Sequence, residues 1–82
     1  MDSLNEQFGQ IYDQYIDKIY RFVYLKVNSQ EIAEDITSKV FLKGWESFQE
    51  KASTIQNPSA FLYKIAGNAV IDYYRDKGRT KY

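Results

Sequence analysis

The chain has 82 residues, enough for one small domain and too few for two. Apolar residues make up 44% of it and aromatic residues 17%, which predicts a folded domain with a dense core. The formal net charge is zero, and the lack of cysteine and histidine excludes disulfides, thiolate chemistry and the commonest general base and metal ligand. The longest apolar run, residues 22–25, is too short for a membrane span or a signal peptide. We therefore expect a soluble, cytoplasmic domain that is not an enzyme and needs no cofactor.

The charge is unevenly distributed along the chain. Residues 1–50 hold nine acidic and five basic residues, whereas residues 51–82 hold two acidic and six basic ones. A neutral domain with one basic end can bind nucleic acid, and a basic tail can equally be no more than solvated surface. Charge alone leaves both interpretations open.

The first predicted element is a long amphipathic helix over about residues 3–27. Its apolar residues recur at steps of three and four, which places them on one stripe of a helix. They are Leu4, Phe8, Ile11, Tyr12, Tyr15, Ile19, Phe22 and Val23.

The second predicted helix spans about residues 29–48. Asn28 is expected to cap its start, with Glu31 as the acid of a capping box. Its apolar residues are Ile32, Ala33, Ile36, Val40, Phe41, Gly44, Trp45 and Phe48. We expect Trp45 to be largely buried between the helices. Residues 49–57 are polar and have no apolar period, which predicts a loop.

The third predicted helix spans about residues 58–77. It begins at Asn57-Pro58, where a capping side chain precedes a proline, and Gly78 is expected to end it. Its apolar residues are Leu62, Ile65, Ala66, Ala69, Val70 and Tyr73. No strand alternation or internal repeat is present. The predicted fold is therefore an all-α three-helix bundle that forms one domain over residues 1–82.

The side of the second helix that faces away from the predicted core is mostly charged. It carries Glu31, Asp35, Ser38, Lys39, Leu42 and Glu46. A leucine exposed among acidic residues suits a protein-docking surface, but single exposed apolar residues are also common on ordinary surfaces. Both interpretations stay open. The carboxylates of Glu31, Glu34 and Asp35 are a weak candidate for a metal site, because no loop gathers them.

The solvent side of the third helix carries an aromatic ring, two cations and an amide in one stripe. These are Phe61, Lys64, Asn68 and Arg75, at spacings of three, four and seven. Bases stack on aromatic rings, cations bind phosphates and an amide hydrogen-bonds a base edge, so the stripe suits single-stranded nucleic acid. The alternative is that Phe61 covers the edge of the core and the other residues are solvated surface.

Three segments carry a resemblance to a known family. Residues 33–45 (AEDITSKVFLKGW) resemble the A-E-D-L-T-Q-E-V-F-L-R-A-W signature of bacterial sigma factors. Residues 58–68 (PSAFLYKIAGN) resemble the family's P-x-A-W-L-[FY]-[RK]-I-A-x-N, and residues 71–75 (IDYYR) resemble its I-D-Y-x-R. The chain is thereby identified as similar to region 2 of an extracytoplasmic-function (group 4) sigma factor. Region 4, the helix-turn-helix half of such proteins, is expected to be absent from this chain.

The resemblance implies that the outer face of the second helix docks on the coiled-coil clamp helices of the RNA polymerase largest subunit. Asp35, Ser38, Lys39 and Leu42 fall on the matching positions. Ser38-Lys39 stands where the signature has Gln-Glu, so Lys39 reverses a charge.

The resemblance also implies that the third helix captures a flipped base of the non-template strand. Asn68 and Lys43 match positions that line the base pocket, and residues 49–57 would supply its rim. Phe61 stands where the family usually has Trp, and Gly67 where an Arg is frequent. Lys64 and Arg75 are expected to bind phosphates.

The function expected from the resemblance is recognition and melting of the promoter minus-ten element as part of RNA polymerase holoenzyme. Region 2 would bind the clamp, and capture of extruded bases would couple melting to sequence recognition. The alternative is a protein-interaction module that an anti-sigma factor binds, or a decoy or scaffold without DNA recognition. A clamp-only binder would lack the stripe on the third helix, whereas this sequence has both surfaces.

Overall fold

The computed structural model describes residues 3–79, except for the side chain of Arg79. It contains three α-helices, α1 (Leu4–Val27), α2 (Gln30–Lys51) and α3 (Pro58–Arg79), and a 3-10 turn (Ala52–Thr54). No strand is present among these residues, and every helix packs against the other two. The prediction of an all-α three-helix bundle is confirmed. None of the described helices is long and apolar enough to cross a membrane.

The junction between α1 and α2 differs from the predicted one by one residue. Asn28 ends α1 in the left-handed conformation, with φ 55°, a conformation that asparagine tolerates better than most residues. Ser29 caps α2, and its hydroxyl accepts a backbone N–H from the first turn. The predicted capping box between Asn28 and Glu31 was therefore wrong. A capping box occurs instead at the start of α1, between Ser3 and Glu6.

Two helices are longer than predicted. The α2 helix runs three residues past residue 48 and continues into the 3-10 turn, so most of the predicted loop over residues 49–57 is helical. The α3 helix passes through Gly78, because one glycine costs only about 1 kcal/mol in a helix and does not by itself end it. The predicted Asn57 cap is confirmed, since its side-chain oxygen accepts the N–H of Ala60.

The core is built from apolar side chains of all three helices. The buried ones are Phe8, Ile19, Val23, Ala33, Ile36, Val40, Phe41, Phe48, Leu62, Ala66 and Val70. The ring of Phe8 lies 6.4 Å from Phe41, 5.4 Å from Trp45 and 5.5 Å from Phe48, measured between centroids. Trp45, expected to be largely buried, is only partly buried and packs at the edge of this cluster.

Helices α2 and α3 approach closely at Gly44. A Cβ atom placed there would lie 3.3 Å from Cδ2 of Leu62, closer than ordinary van der Waals contact. The missing side chain lets the two helices pack tightly at this level. Further along, they enclose the groove described next.

Candidate nucleic-acid interface

A groove of about 340 Å³ lies between α2 and α3. Its apolar lining consists of Ile36, Val40, Ile65, Ala69 and Tyr73. Its polar lining consists of Asp35, Lys39 and Lys43 from α2 and Asn68, Asp72 and Asp76 from α3. Each polar set is spaced by four residues, and a spacing of four places side chains on one face of a helix. The groove therefore combines an apolar surface with a row of polar and charged side chains from each helix.

The groove brings together residues that the sequence assigned to two different sites. Lys43 and Asn68, the predicted base-pocket residues, both line it. Asp35 and Lys39, predicted to contact polymerase, line it as well. None of residues 49–57, predicted to form the rim, belongs to its lining. The two predicted surfaces therefore share the α2 side of one groove.

The predicted stripe on α3 is only partly a free surface. Lys64, Asn68 and Arg75 are exposed, and Asn68 alone of the stripe lines the groove. Phe61 is partly buried and packs against the core, as in the alternative interpretation, so less of its ring is open for stacking. Arg75 Nη1 lies 3.5 Å from Asp72 Oδ1 in an exposed ion pair.

All four predicted polymerase contacts on α2 are exposed. Leu42 is 61% exposed, and Ser38 lies one turn before it. Lys39 Nζ is 3.0 Å from Asp35 Oδ2, and both side chains are more than half exposed. Exposed ion pairs of this kind contribute about 0.2–1 kcal/mol to stability, so either side chain can readily pair with another charged group instead.

Sequence reasoning missed the carboxylates of the groove. Asp72 and Asp76 follow Asn68 at steps of four, and this spacing was the signal that would have placed them beside it. The predicted stripe instead follows Lys64 and Arg75, which do not line the groove.

A second, smaller cleft between α1 and α3 was also missed. Phe22, Leu25 and Tyr63 form its apolar lining, with Lys18 and Arg21 beside them. The Leu25 side chain is 71% exposed, and the Phe22 and Tyr63 rings meet edge to face at 5.2 Å. This cleft is separate from the α2–α3 groove.

The protein is a small helical domain with a groove between two of its helices, and comparison with known proteins places it in a family. The family model for Sigma-70 region 2 matches residues 11–80, and the chain belongs to this family. No solved structure gave a significant match.

The relatives that the chain matches are named as sigma factors. It is 36% identical over 70 residues to the ECF RNA polymerase sigma factor BldN of Streptomyces coelicolor, covering 85% of this chain and 26% of the relative. It is 33% identical over 72 residues to the ECF RNA polymerase sigma factor SigW of Bacillus subtilis, covering 88% of this chain and 38% of the relative. It is 34% identical over 61 residues to a probable RNA polymerase sigma factor of Haemophilus influenzae, covering 71% of this chain and 29% of the relative. The chain therefore spans well under half the length of these proteins.

Proposed function

We propose that this domain docks on the clamp coiled coil of RNA polymerase and captures bases of the non-template strand at the promoter minus-ten element. The observation that carries the proposal is the α2–α3 groove, which holds Asn68 and Lys43 together beside the exposed face of α2. The names of the sigma-factor relatives support the same role. The domain then acts in the cytoplasm, where polymerase and promoter DNA are, as a binding factor and not an enzyme.

The groove suits a base better than it suits a duplex. The flat face of an extruded base can lie on partly exposed apolar side chains such as Ile65 and Tyr73, while the amide of Asn68 hydrogen-bonds its edge. Extruding a base costs a few kcal/mol, and this cost is least for a strand that is already open. Lys64 and Arg75 are exposed on the neighbouring side of α3, and we expect them to bind phosphates.

The test is binding of single-stranded DNA to the 82-residue chain. Oligonucleotides with a short randomised window are selected on the protein, and the selected sequence is compared by fluorescence anisotropy with its scramble and its duplex. We expect the single strand to bind better than the duplex, because the groove offers contacts only to an unpaired base.

Asn68→Ala should remove most of the preference for the selected sequence over its scramble. Loss of a base-edge contact costs about 1–3 kcal/mol of discrimination, whereas nonspecific phosphate binding does not depend on it. Asn5→Ala, an exposed asparagine on α1, is the matched control and should change nothing. If duplex binds as well as single strand, or if Asn68→Ala leaves the preference intact, base capture by α3 is wrong.

The alternative function is a protein-interaction module, bound by an anti-sigma factor or acting as a decoy or scaffold. The carboxylates of Asp35, Asp72 and Asp76 favour it, because they make the groove less attractive to phosphates than a purely basic groove would be. Under this alternative the chain binds a polymerase clamp coiled coil while showing no preference among single-stranded sequences.

A further inference from the structure

The charge balance of the α2–α3 groove depends on Lys39. Its lining holds three carboxylates, those of Asp35, Asp72 and Asp76, and two ammonium groups, those of Lys39 and Lys43. With Glu at position 39, as in the signature, the same groove would hold four carboxylates and one ammonium group. Such a groove would attract a phosphate backbone less strongly than the groove with Lys39 does. Lys39 thus lowers the negative charge of the groove in this chain.

The position of Lys39 favours a role in the groove over a role in protein docking on the outer face of α2. Lys39 and Lys43 are one turn apart on α2 and both line the groove, whereas Ser38 and Leu42 do not. The two ammonium groups therefore lie along the same side, where one strand can meet both. Single-stranded nucleic acids are held by such cations following the backbone beside a surface for the bases.

We propose that Lys39 is a phosphate-binding residue of the groove rather than a polymerase contact. The proposal rests on the function proposed above and adds a residue to its DNA site. Asp35 limits this role, because its carboxylate holds the Lys39 ammonium group at 3.0 Å. Both side chains are more than half exposed, so a phosphate can replace the carboxylate as the partner of Lys39.

The test is the salt dependence of single-strand binding by Lys39→Ala. For single strands, each phosphate contact contributes about 0.7 to the slope of log affinity against log salt, so the variant should lose about 0.7 of slope. Its affinity should fall severalfold at low salt, and by the same factor for the selected and scrambled strands. Lys18→Ala is the matched control: it removes the same charge from α1, outside the groove, and should leave the slope nearly unchanged.

Asp35→Ala should have the opposite effect. Removing the carboxylate releases Lys39 and lowers the negative charge of the groove, so affinity for the strand should rise. If Lys39 is the group released, the rise should be smaller when Lys39→Ala is already present. Equal rises in the two backgrounds would contradict the proposed competition between Asp35 and phosphate for Lys39.

A second measurement separates the two assignments of Lys39. Binding to an isolated clamp coiled coil should be unaffected by Lys39→Ala and weakened by Leu42→Ala. The proposal is overturned if Lys39→Ala matches the Lys18→Ala control in its salt slope, or if it weakens clamp binding while leaving strand binding intact. Failure of the proposed function would give a different result from failure of the Lys39 proposal. The chain would then show no preference between selected and scrambled strands, with either Lys or Ala at position 39.

Discussion

At the scale of single residues, Gly67 stands where the family frequently has Arg, and the structure shows what a side chain there would meet. It lies in the interior of α3, and a Cβ atom added there meets nothing within 4 Å. Glycine in a helix interior costs about 1 kcal/mol relative to alanine, and no close contact here requires it. The position is therefore open both to a stabilising side chain and to a functional one.

Two substitutions at Gly67 separate these effects. Gly67→Ala should raise the free energy of unfolding by about 1 kcal/mol, measured by urea denaturation, and leave strand binding unchanged. Gly67→Arg, which restores the frequent family residue, should give a similar gain in stability and also steepen the salt slope of strand binding by about 0.7. If Gly67→Arg binds a strand no better than Gly67→Ala, this side of α3 does not face the phosphates.

At the scale of elements, periodicity located all three helices but not all of their ends. Apolar spacing reports only those turns that pack against the core, and the last turn of α2 extends beyond it with Gln49, Glu50 and Lys51, three good helix formers. The start of α2 was misassigned because Asn28 and Ser29 are adjacent and both suit a cap. The left-handed backbone of Asn28, which decides between them, depends on how α1 turns into α2.

The two residues at this junction should respond differently to substitution. Ser29→Ala removes the side chain that caps α2 and should lower the free energy of unfolding by about 1 kcal/mol. Asn28→Gly should cost little or nothing, because glycine adopts the left-handed conformation readily. Urea denaturation followed by circular dichroism measures both. A larger loss of unfolding free energy for Asn28→Gly than for Ser29→Ala would indicate that Asn28, and not Ser29, caps α2.

At the scale of the whole molecule, the site depended on how two helices pair. The sequence was sufficient to place Lys43 on α2 and Asn68 on α3, and the family resemblance was sufficient to associate them. That Lys39 lines the same groove as Asp72 and Asp76 follows from the register of α2 against α3, which the close approach at Gly44 helps to set. The register between two helices depends on tertiary packing, so the spacing of residues along one helix does not predict it.

The first turns of α1 complete the core of the whole molecule, although they lie before residues 11–80, the part that the family model matches. Phe8 is only 8% exposed and lies among three aromatic rings of α2, so Phe8→Ala should cost about 3–5 kcal/mol. Small domains are stable by as little as about 5 kcal/mol, so the variant should be largely unfolded or melt far below the parent. Circular dichroism and the fluorescence of Trp45, the single tryptophan, should report the loss together. Leu4→Ala, one turn earlier at a residue that is 39% exposed, is the control and should melt close to the parent. Equal losses of stability in both variants would mean that the first turns of α1 unfold together and that Phe8 does not join α1 to α2.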